Sequence, residues 1–454
     1  MTWRKAGFAG FVAAWFVWFN GASLRVHFAP DDMMNMAYYF QAGPWKLTAA
    51  LITPWTGFYR PMGGLFYMTL FAAAGLNPAP YHAAILMVLA GCVWLTYRFA
   101  KLLGAGELAG GLAALVMAYH PGLSNLYYNP AFVFDVLCLF FYLAAFVCYG
   151  WLRGSERTPQ WSQALVFLLL FLAALQSKEM AVTLPAALLV WEWFYGRRWR
   201  KAAWLWGLAA LLDAASVAGK LFGAGALIGQ PGYAPVFSVQ RVLDFQRMMV
   251  SDVFLERHYP VWPVWAGLTI VACVSLVCRK YRKRWPALGY CWIFSIGIAP
   301  LPIEFLQGRS GACLAIPAVG LAVFMAVAIT ELAKLPGRRT VTAAVVVVVV
   351  ALWAHRIHYL QSWLVEPAMV RLGQTGWGVI GQFRELNPHL PSGSRIVLLH
   401  DPSTDLETAF IAQLWFHDRT VEIHLQRQNP MTPRELAGMD ALFDFQDGKL
   451  VRVK

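Results

Sequence analysis

The chain has 454 residues, of which 59% are hydrophobic and only 13% are charged, and its mean hydropathy is +0.51. This composition excludes an ordinary soluble protein, in which about a quarter of the residues are charged. The net charge of +13 does not indicate a nucleic-acid partner, because the basic residues cluster in short loops between apolar runs. These runs are continuous rather than alternating, which excludes a β-barrel. We therefore expect an α-helical polytopic membrane protein.

The first apolar run extends from Ala6 to about Ala22, after Arg4 and Lys5. This pattern also fits a cleaved signal peptide, but a retained helix would hold the acidic residues that follow at the membrane face. Ten further apolar runs bring the predicted number of transmembrane helices to about 11. They lie at about 79–100, 108–120, 129–151, 162–176, 180–195, 202–219, 261–278, 287–303, 310–333 and 341–354.

The basic loops predict the orientation of these helices. Clusters such as 197–201 and 279–284 are expected in the cytoplasm, which places the N-terminus there as well. An odd number of helices then leaves the C-terminal tail outside. We expect a multi-pass protein of a bacterial inner membrane, embedded in membrane lipid, with its polar outliers gathered on the external face.

The first external loop, residues 23–78, contains the adjacent acids Asp31 and Asp32. Aspartate suits the first turn of a helix, and the apolar residues that follow predict a helix lying along the membrane surface. Two interpretations of the pair remain open. It provides a general base or a ligand for a divalent metal ion in a pocket, or it caps a helix in a solvated loop.

The last hundred residues differ in character from the rest of the chain. Strands are predicted at 395–400, 421–425 and 441–445, a helix at 404–416, and a hairpin turn at Asp447-Gly448. We therefore predict two domains. Residues 1–355 form the transmembrane domain, and residues 356–454 form a small extracytoplasmic α/β domain.

Further charged residues fall on the predicted external face. Lys178 and Glu179 join two apolar runs with almost no loop, so they either pair beside a cavity, where lysine suits a phosphate, or mark the water boundary. Arg60 and Arg309 also suit a phosphate, although each could be a surface anchor. Asp135 lies inside an apolar run, where a carboxylate is costly.

His120 marks another external loop. The sequence contains no Gly-rich nucleotide loop, metal-type His pair or nucleophile elbow. An enzyme on the external face lacks access to cytoplasmic nucleotide sugars, so its activated donor has to be carried by a lipid. Acids and cations gathered beside a membrane therefore suggest a substrate linked to polyprenyl phosphate. The cations would hold the phosphate leaving group while an acid activates the acceptor.

The arrangement resembles the GT-C class of membrane glycosyltransferases, in particular the branch of protein O-mannosyltransferases and the lipid A aminoarabinose transferase. The resemblance covers about residues 1–355 and is nearest to the branch with tetratricopeptide repeats, which this chain lacks. It is carried by Asp31-Asp32, Tyr59-Arg60-Pro61, Pro80-Tyr81-His82, Ser177-Lys178-Glu179 with Pro185, and Gly308-Arg309 with Pro317.

The resemblance implies transfer of a sugar from a polyprenyl-phosphate-linked donor to a glycan, lipid or protein acceptor at the external face, usually with inversion. Asp31 or Asp32 would be the catalytic acid-base residue. Arg60, Lys178 and Arg309 would bind the donor phosphate.

Glu179 would orient Lys178 or contact a metal. Asp135 and His120 would support the site. A divalent metal ion held by Asp32 and Glu179 is the one cofactor that the resemblance allows.

Two other functions remain open on the sequence. A transporter or flippase of lipid-linked glycans would carry charge at the membrane midplane, where Asp135 and Asp213 are the chief candidates. An inactive membrane scaffold would use its tail to bind a partner in the cell envelope.

Overall fold

The computed structural model describes residues 3–53, 55, 57–154, 160–196, 202–223, 235–255, 265–267, 269–273, 285–306, 310–334, 339–446 and 448–454. The chain folds into apolar helices followed by a small C-terminal domain with one sheet. The predicted class, an α-helical polytopic membrane protein with a small α/β domain, is therefore confirmed.

Eleven α-helices precede residue 255 within the described residues. They are α1 (Trp3–Asn20), α2 (Pro30–Ile52), α3 (Pro61–Ala74), α4 (Pro78–Leu102), α5 (Glu107–Ala118), α6 (Ser124–Tyr128), α7 (Val133–Gly154), α8 (Trp161–Ser177), α9 (Leu184–Tyr195), α10 (Ala203–Phe222) and α11 (Val239–Phe254). Short 3₁₀ helices occupy Gly21–Arg25, Pro121–Leu123, Pro130–Phe132, Glu179–Thr183 and Gly311–Leu314.

The second half begins with further helices at Trp285–Trp292, Leu301–Glu304, Ala315–Leu332 and Arg339–Leu360. π-Helical turns at Ile293–Ile298 and Gln361–Val365 continue two of them. The last long helix runs on through Glu366–Leu372, past the predicted domain boundary at residue 356. The C-terminal domain adds the helices Gln374–Leu386, Glu407–Phe416 and Pro433–Ala437.

Seven of the described helical segments are long and apolar enough to cross a membrane, compared with the 11 predicted from sequence. Three further apolar helices, α3, α5 and α8, are shorter than 18 residues. The predicted span at 261–278 lies largely outside the described residues. Ala315–Leu332 is the most deeply buried of the long helices and packs against α5, so it lies at the centre of the membrane domain.

The C-terminal sheet has four strands in the order β2-β1-β3-β4, with β1 (Arg395–Leu399), β2 (Glu422–Leu425), β3 (Ala441–Gln446) and β4 (Lys449–Arg452). β1 pairs in parallel with β2 and β3, and β4 pairs antiparallel with β3. The helix Glu407–Phe416 forms the crossover between β1 and β2, as a parallel pair requires. The predicted strands and helix are confirmed. Gly448 adopts a positive φ of 76° at the hairpin, whereas Asp447 lies outside the described residues.

Glycines allow close contacts between helices around residues 23–78, the first predicted external loop. A Cβ on Gly63 of α3 would collide with the Phe134 ring, and one on Gly64 would collide with Tyr39 of α2. On α10, a Cβ on Gly219 would lie 2.3 Å from the backbone of Trp55. These contacts hold α3 against α2 and the start of α7, and hold the end of α10 against residue 55 of the loop.

Replacing Gly219 with Ala tests the contact between α10 and the loop. The added methyl group would meet backbone rather than a flexible side chain, so we expect Gly219→Ala to cost about 1–3 kcal/mol of stability. Gly207 on the same helix has open space where its Cβ would lie, so Gly207→Ala is the matched control and should be neutral or slightly stabilising. Thermal unfolding in detergent measures both. Equal Tm values for the two variants would contradict the close packing.

Candidate functional site

The start of α2 gives the two adjacent acids different surroundings. Ala29 is the extended N-cap residue and Pro30 opens the helix. The Asp32 carboxylate turns back and accepts hydrogen bonds from the Ala29 N–H at 2.8 Å and from the Tyr67 hydroxyl at 2.8 Å. Its side chain is fully buried. Asp32 therefore closes the helix N-terminus and ties it to α3.

Burial raises the pKa of Asp32 to about 7. The hydrogen bonds from Tyr67 and Ala29 act in the opposite direction, whereas the neighbouring carboxylates of Asp31 and Glu407 raise the pKa further. Asp32 therefore lies in a site where its charge is only partly compensated. Its two oxygens already have donors, so its role in this structure is that of a buried cap.

Asp31 instead lines a cavity of about 600 Å³ that is formed by the membrane helices and the segments that join them. Its side chain is exposed, and its carboxylate accepts no hydrogen bond from the part of the chain that the structure describes. Partial desolvation and the nearby Asp405 carboxylate raise the pKa of Asp31. Of the predicted acidic pair, Asp31 alone lies in the cavity wall.

Arg60 and Glu179 form a bidentate ion pair in the same wall. The guanidinium donates to Oε1 at 3.3 Å through Nε and to Oε2 at 2.8 Å through one terminal nitrogen. Its other terminal nitrogen donates to the Tyr59 hydroxyl at 2.7 Å. Burial is the largest single effect on the pKa of Glu179 and raises it, but the charge and hydrogen bonds of Arg60, together with Lys220, outweigh burial and lower the pKa to about 2. Glu179 therefore stays ionised and fixes the Arg60 side chain.

Lys178 pairs with Asp135 rather than with its neighbour Glu179. Its Nζ lies 2.6 Å from Asp135 Oδ1 and 3.3 Å from Cys313 Sγ. Lys178 is extended, with φ −162° and ψ 154°, and successive side chains of an extended backbone point to opposite sides. The expectation that Glu179 orients Lys178 is therefore corrected, because Glu179 orients Arg60 and Asp135 orients Lys178. Both ion pairs line the cavity.

Lys220 is a third cation in the cavity, and the sequence analysis did not single it out. Its Nζ donates to the Phe58 carbonyl at 3.1 Å, and it forms no ion pair within the described part of the chain. Its neighbour Gly219 brings it there by packing on residue 55. One feature of the sequence could have identified Lys220 as a site residue. It lies at the predicted external end of a span, one residue after the predicted boundary at 219.

The two remaining predicted site residues, His120 and Arg309, are not among the described residues that line the cavity. His120 is buried outside the cavity, where its Nδ1 accepts from the Gly122 N–H and its Nε2 lies 3.0 Å from the Val253 carbonyl. These contacts shape the local loop. Arg309 lies outside the described residues, although Leu306 and Ser310 before and after it line the cavity.

The described carboxylates do not fit the predicted metal site as they are arranged. No group of three or more His, Cys, Asp or Glu side chains among the described residues is placed to hold a metal ion. The oxygens of Asp32 accept from Ala29 and Tyr67, and those of Glu179 accept from Arg60. Metal dependence therefore stays a prediction.

Two solved structures share the fold of this chain. They are ArnT from Cupriavidus metallidurans, a GT-C aminoarabinose transferase, in the apo state and bound to undecaprenyl phosphate. The apo structure has a TM-score of 0.54 and 12% identity and covers 98% of this chain and 94% of its own. The bound structure has a TM-score of 0.51 and 13% identity, with coverage of 99% and 97%. The expected GT-C fold is confirmed.

A curated relative matches part of the sequence. The protein O-mannosyl-transferase Tmtc1 of Drosophila melanogaster is 27% identical over 127 residues, which is 28% of this chain and 14% of that protein. The chain therefore matches only a small part of this relative. No protein-family model matches the chain.

A double-mutant cycle tests the buried pair of Lys178 and Asp135. Removing one partner leaves an uncompensated buried charge, so Asp135→Asn and Lys178→Met should each destabilise the protein by about 3–5 kcal/mol. The double variant should lose much less than the sum of the two. The measurement is the free energy of unfolding in detergent. Additive losses would show that the two charges do not interact.

Proposed function

We propose that this chain is a glycosyltransferase that transfers a sugar from a polyprenyl-phosphate-linked donor to an acceptor hydroxyl at the external membrane face. The observation that carries the proposal is the composition of one cavity wall. Asp31, whose carboxylate accepts no hydrogen bond from the described residues, shares this cavity with the cations Arg60, Lys178 and Lys220. A volume of about 600 Å³ is within the usual range for small-molecule sites. The GT-C fold supports the same class of reaction.

The cations suit the phosphate of the donor. Lys178 and Lys220 are compact point charges, and each ammonium group has three N–H donors, of which the described residues engage two on Lys178 and one on Lys220. Glu179 and the Tyr59 hydroxyl hold the Arg60 guanidinium in place, so that its positive charge stays fixed in the cavity wall. The solved ArnT structure with undecaprenyl phosphate supports this choice of donor lipid.

Asp31 suits the role of general base. Its raised pKa makes it a stronger base than an ordinary aspartate. In the proposed step Asp31 takes the proton of the acceptor hydroxyl, whose oxygen attacks the anomeric carbon. The bond between that carbon and the phosphate oxygen breaks, and the polyprenyl phosphate leaves with the electron pair. The three cations stabilise its charge, and Asp31 then releases the proton to water.

Asp31→Asn should abolish transfer, because an amide cannot accept the proton. General-base catalysis contributes about 10²–10⁴-fold, so we expect a loss of at least about 100-fold in kcat. The assay measures release of undecaprenyl phosphate from two donors, undecaprenyl-phosphoryl aminoarabinose and undecaprenyl-phosphoryl mannose, each tested separately. A membrane extract supplies the acceptor. Binding of undecaprenyl phosphate should persist in the variant.

The test of Asp31→Asn has two controls. Asp244→Asn alters an exposed acid of α11 outside the cavity and should leave the activity unchanged. Asp32→Asn should cost about 1–3 kcal/mol of stability, because it disturbs a buried acceptor. Full activity in Asp31→Asn would overturn the proposed role of Asp31. Movement of the lipid across vesicle membranes without a glycosyl product would instead favour a flippase.

Lys220→Gln tests the phosphate site without an acceptor. A hydrogen bond to a charged group contributes about 1.5–3 kcal/mol, so the Kd for undecaprenyl phosphate should rise about tenfold or more. The Tm should hardly change, because Lys220 has no ion-pair partner among the described residues. Lys46→Gln on the exposed face of α2 is the matched control. Equal Kd values for the two variants and the wild type would exclude Lys220 from the donor site.

A further inference from the structure

The helix α2, which carries Asp31, is broken near its middle. Gly43 has φ 79° and ψ 165°, and Pro44 follows it inside the helix. Proline has no N–H, so the Phe40 carbonyl loses the partner that residue 44 would provide in a continuous helix. Phe40 is buried, and an unpaired carbonyl in such a place is costly. The first half of α2 therefore needs a donor from elsewhere in the chain.

Arg419 of the C-terminal domain supplies that donor. Its Nε donates to the Phe40 carbonyl oxygen at 2.7 Å, across 379 positions of sequence. Its guanidinium lies 5.2 Å from the centroid of the Phe40 ring. It also packs against Gly43, where a Cβ would come within 3.4 Å of it. One side chain therefore fills the break and caps the first half of α2.

The surrounding contacts hold Arg419 at this point. His417 ends the helix Glu407–Phe416 in a left-handed conformation with φ 53°. Its ring stacks on Phe71 of α3 at 5.2 Å and lies 5.3 Å from the Phe40 ring. The segment after this helix is thus seated on both α2 and α3.

The same domain also reaches the opposite end of the half-helix. The helix Glu407–Phe416 packs against α2. At the start of α2, the Asp405 carboxylate raises the pKa of Asp31 and the Glu407 carboxylate raises that of Asp32. On the approach to α2, His27 stacks on Trp377 with ring centroids 4.5 Å apart. The C-terminal domain therefore contacts the first half of α2 at both of its ends.

We propose that Arg419 is a positioning residue for the transfer reaction: by capping the Phe40 carbonyl it fixes the half-helix that places Asp31 in the cavity wall. Arg419 does not line the cavity, so it acts through α2 rather than on the substrate. The role of Arg419 in the reaction rests on the proposed function. The contact with α2 is measurable without any substrate.

Arg419→Ala should lower kcat by about 10–100-fold, because small displacements of a catalytic group have effects of this size. The KM for the donor should change little, since the cations of the donor site belong to other segments. Arg419→Lys should restore most of the activity, because its ammonium group can donate to the same carbonyl. Arg452→Ala is the matched control, since the side chain of this exposed arginine donates to the Lys454 backbone oxygen within the C-terminal domain.

Hydrogen exchange provides the readout that does not depend on catalysis. The backbone amides of residues 34–42 should exchange faster in Arg419→Ala than in the wild type, and those of Arg452→Ala and Arg419→Lys should resemble the wild type. Unchanged exchange and unchanged kcat in Arg419→Ala would overturn the proposal. Equal losses in Arg419→Ala and Arg452→Ala would overturn it as well, since they would indicate general damage to the domain.

The two proposals fail in different ways. If the wild type transfers no sugar from any polyprenyl-phosphate donor, the proposed function is wrong, and the exchange data still decide whether Arg419 fixes α2. If the wild type is active and Arg419→Ala keeps its full kcat, the proposed function stands and the positioning role of Arg419 is wrong.

Discussion

The site depends on how Asp32 closes the N-terminus of α2. Its buried carboxylate accepts from the Ala29 N–H and from Tyr67 of α3, which fixes the rotation of the helix about its axis. Successive helical residues point about 100° apart, because one turn contains 3.6 residues. With Asp32 directed into the protein, Asp31 has to project from another face, which here is the cavity wall. The helix cap, Asp32, and the candidate base, Asp31, are thus adjacent residues with separate roles.

Charge pairing explains how the cavity tolerates its other ionised groups. Arg60 with Glu179 and Lys178 with Asp135 are internally compensated, and buried ions require such compensation. Among the described residues this leaves Asp31 and Lys220 as the charged groups of the wall without an ion-pair partner. The paired cations keep a fixed geometry, whereas the two unpaired groups carry opposite charges that a substrate can engage. A phosphate beside Lys220 and a hydroxyl beside Asp31 would satisfy both.

The sequence predicted the fold class, the C-terminal strands and the presence of Asp31, Arg60, Lys178 and Glu179 near one another. Continuous apolar runs and alternating strands depend on local patterns, so they could be read directly. The pairing of Lys178 with Asp135 could not, because it depends on the backbone direction at one residue and on the packing of two helices. Lys220 was missed because its place in the cavity depends on the close approach of Gly219 to residue 55.

The break in α2 shows why the C-terminal domain belongs to the same functional unit as the membrane helices. Pro44 was visible in the sequence, and its effect on the Phe40 carbonyl follows from the chemistry of proline alone. The identity of the replacement donor does not follow from any local pattern, because Arg419 lies in a different domain. Since a buried carbonyl needs a partner, the helix that carries Asp31 is complete only when the C-terminal domain is docked on it. A helix that depends on a distant residue in this way links the position of the candidate base to the folding of the tail.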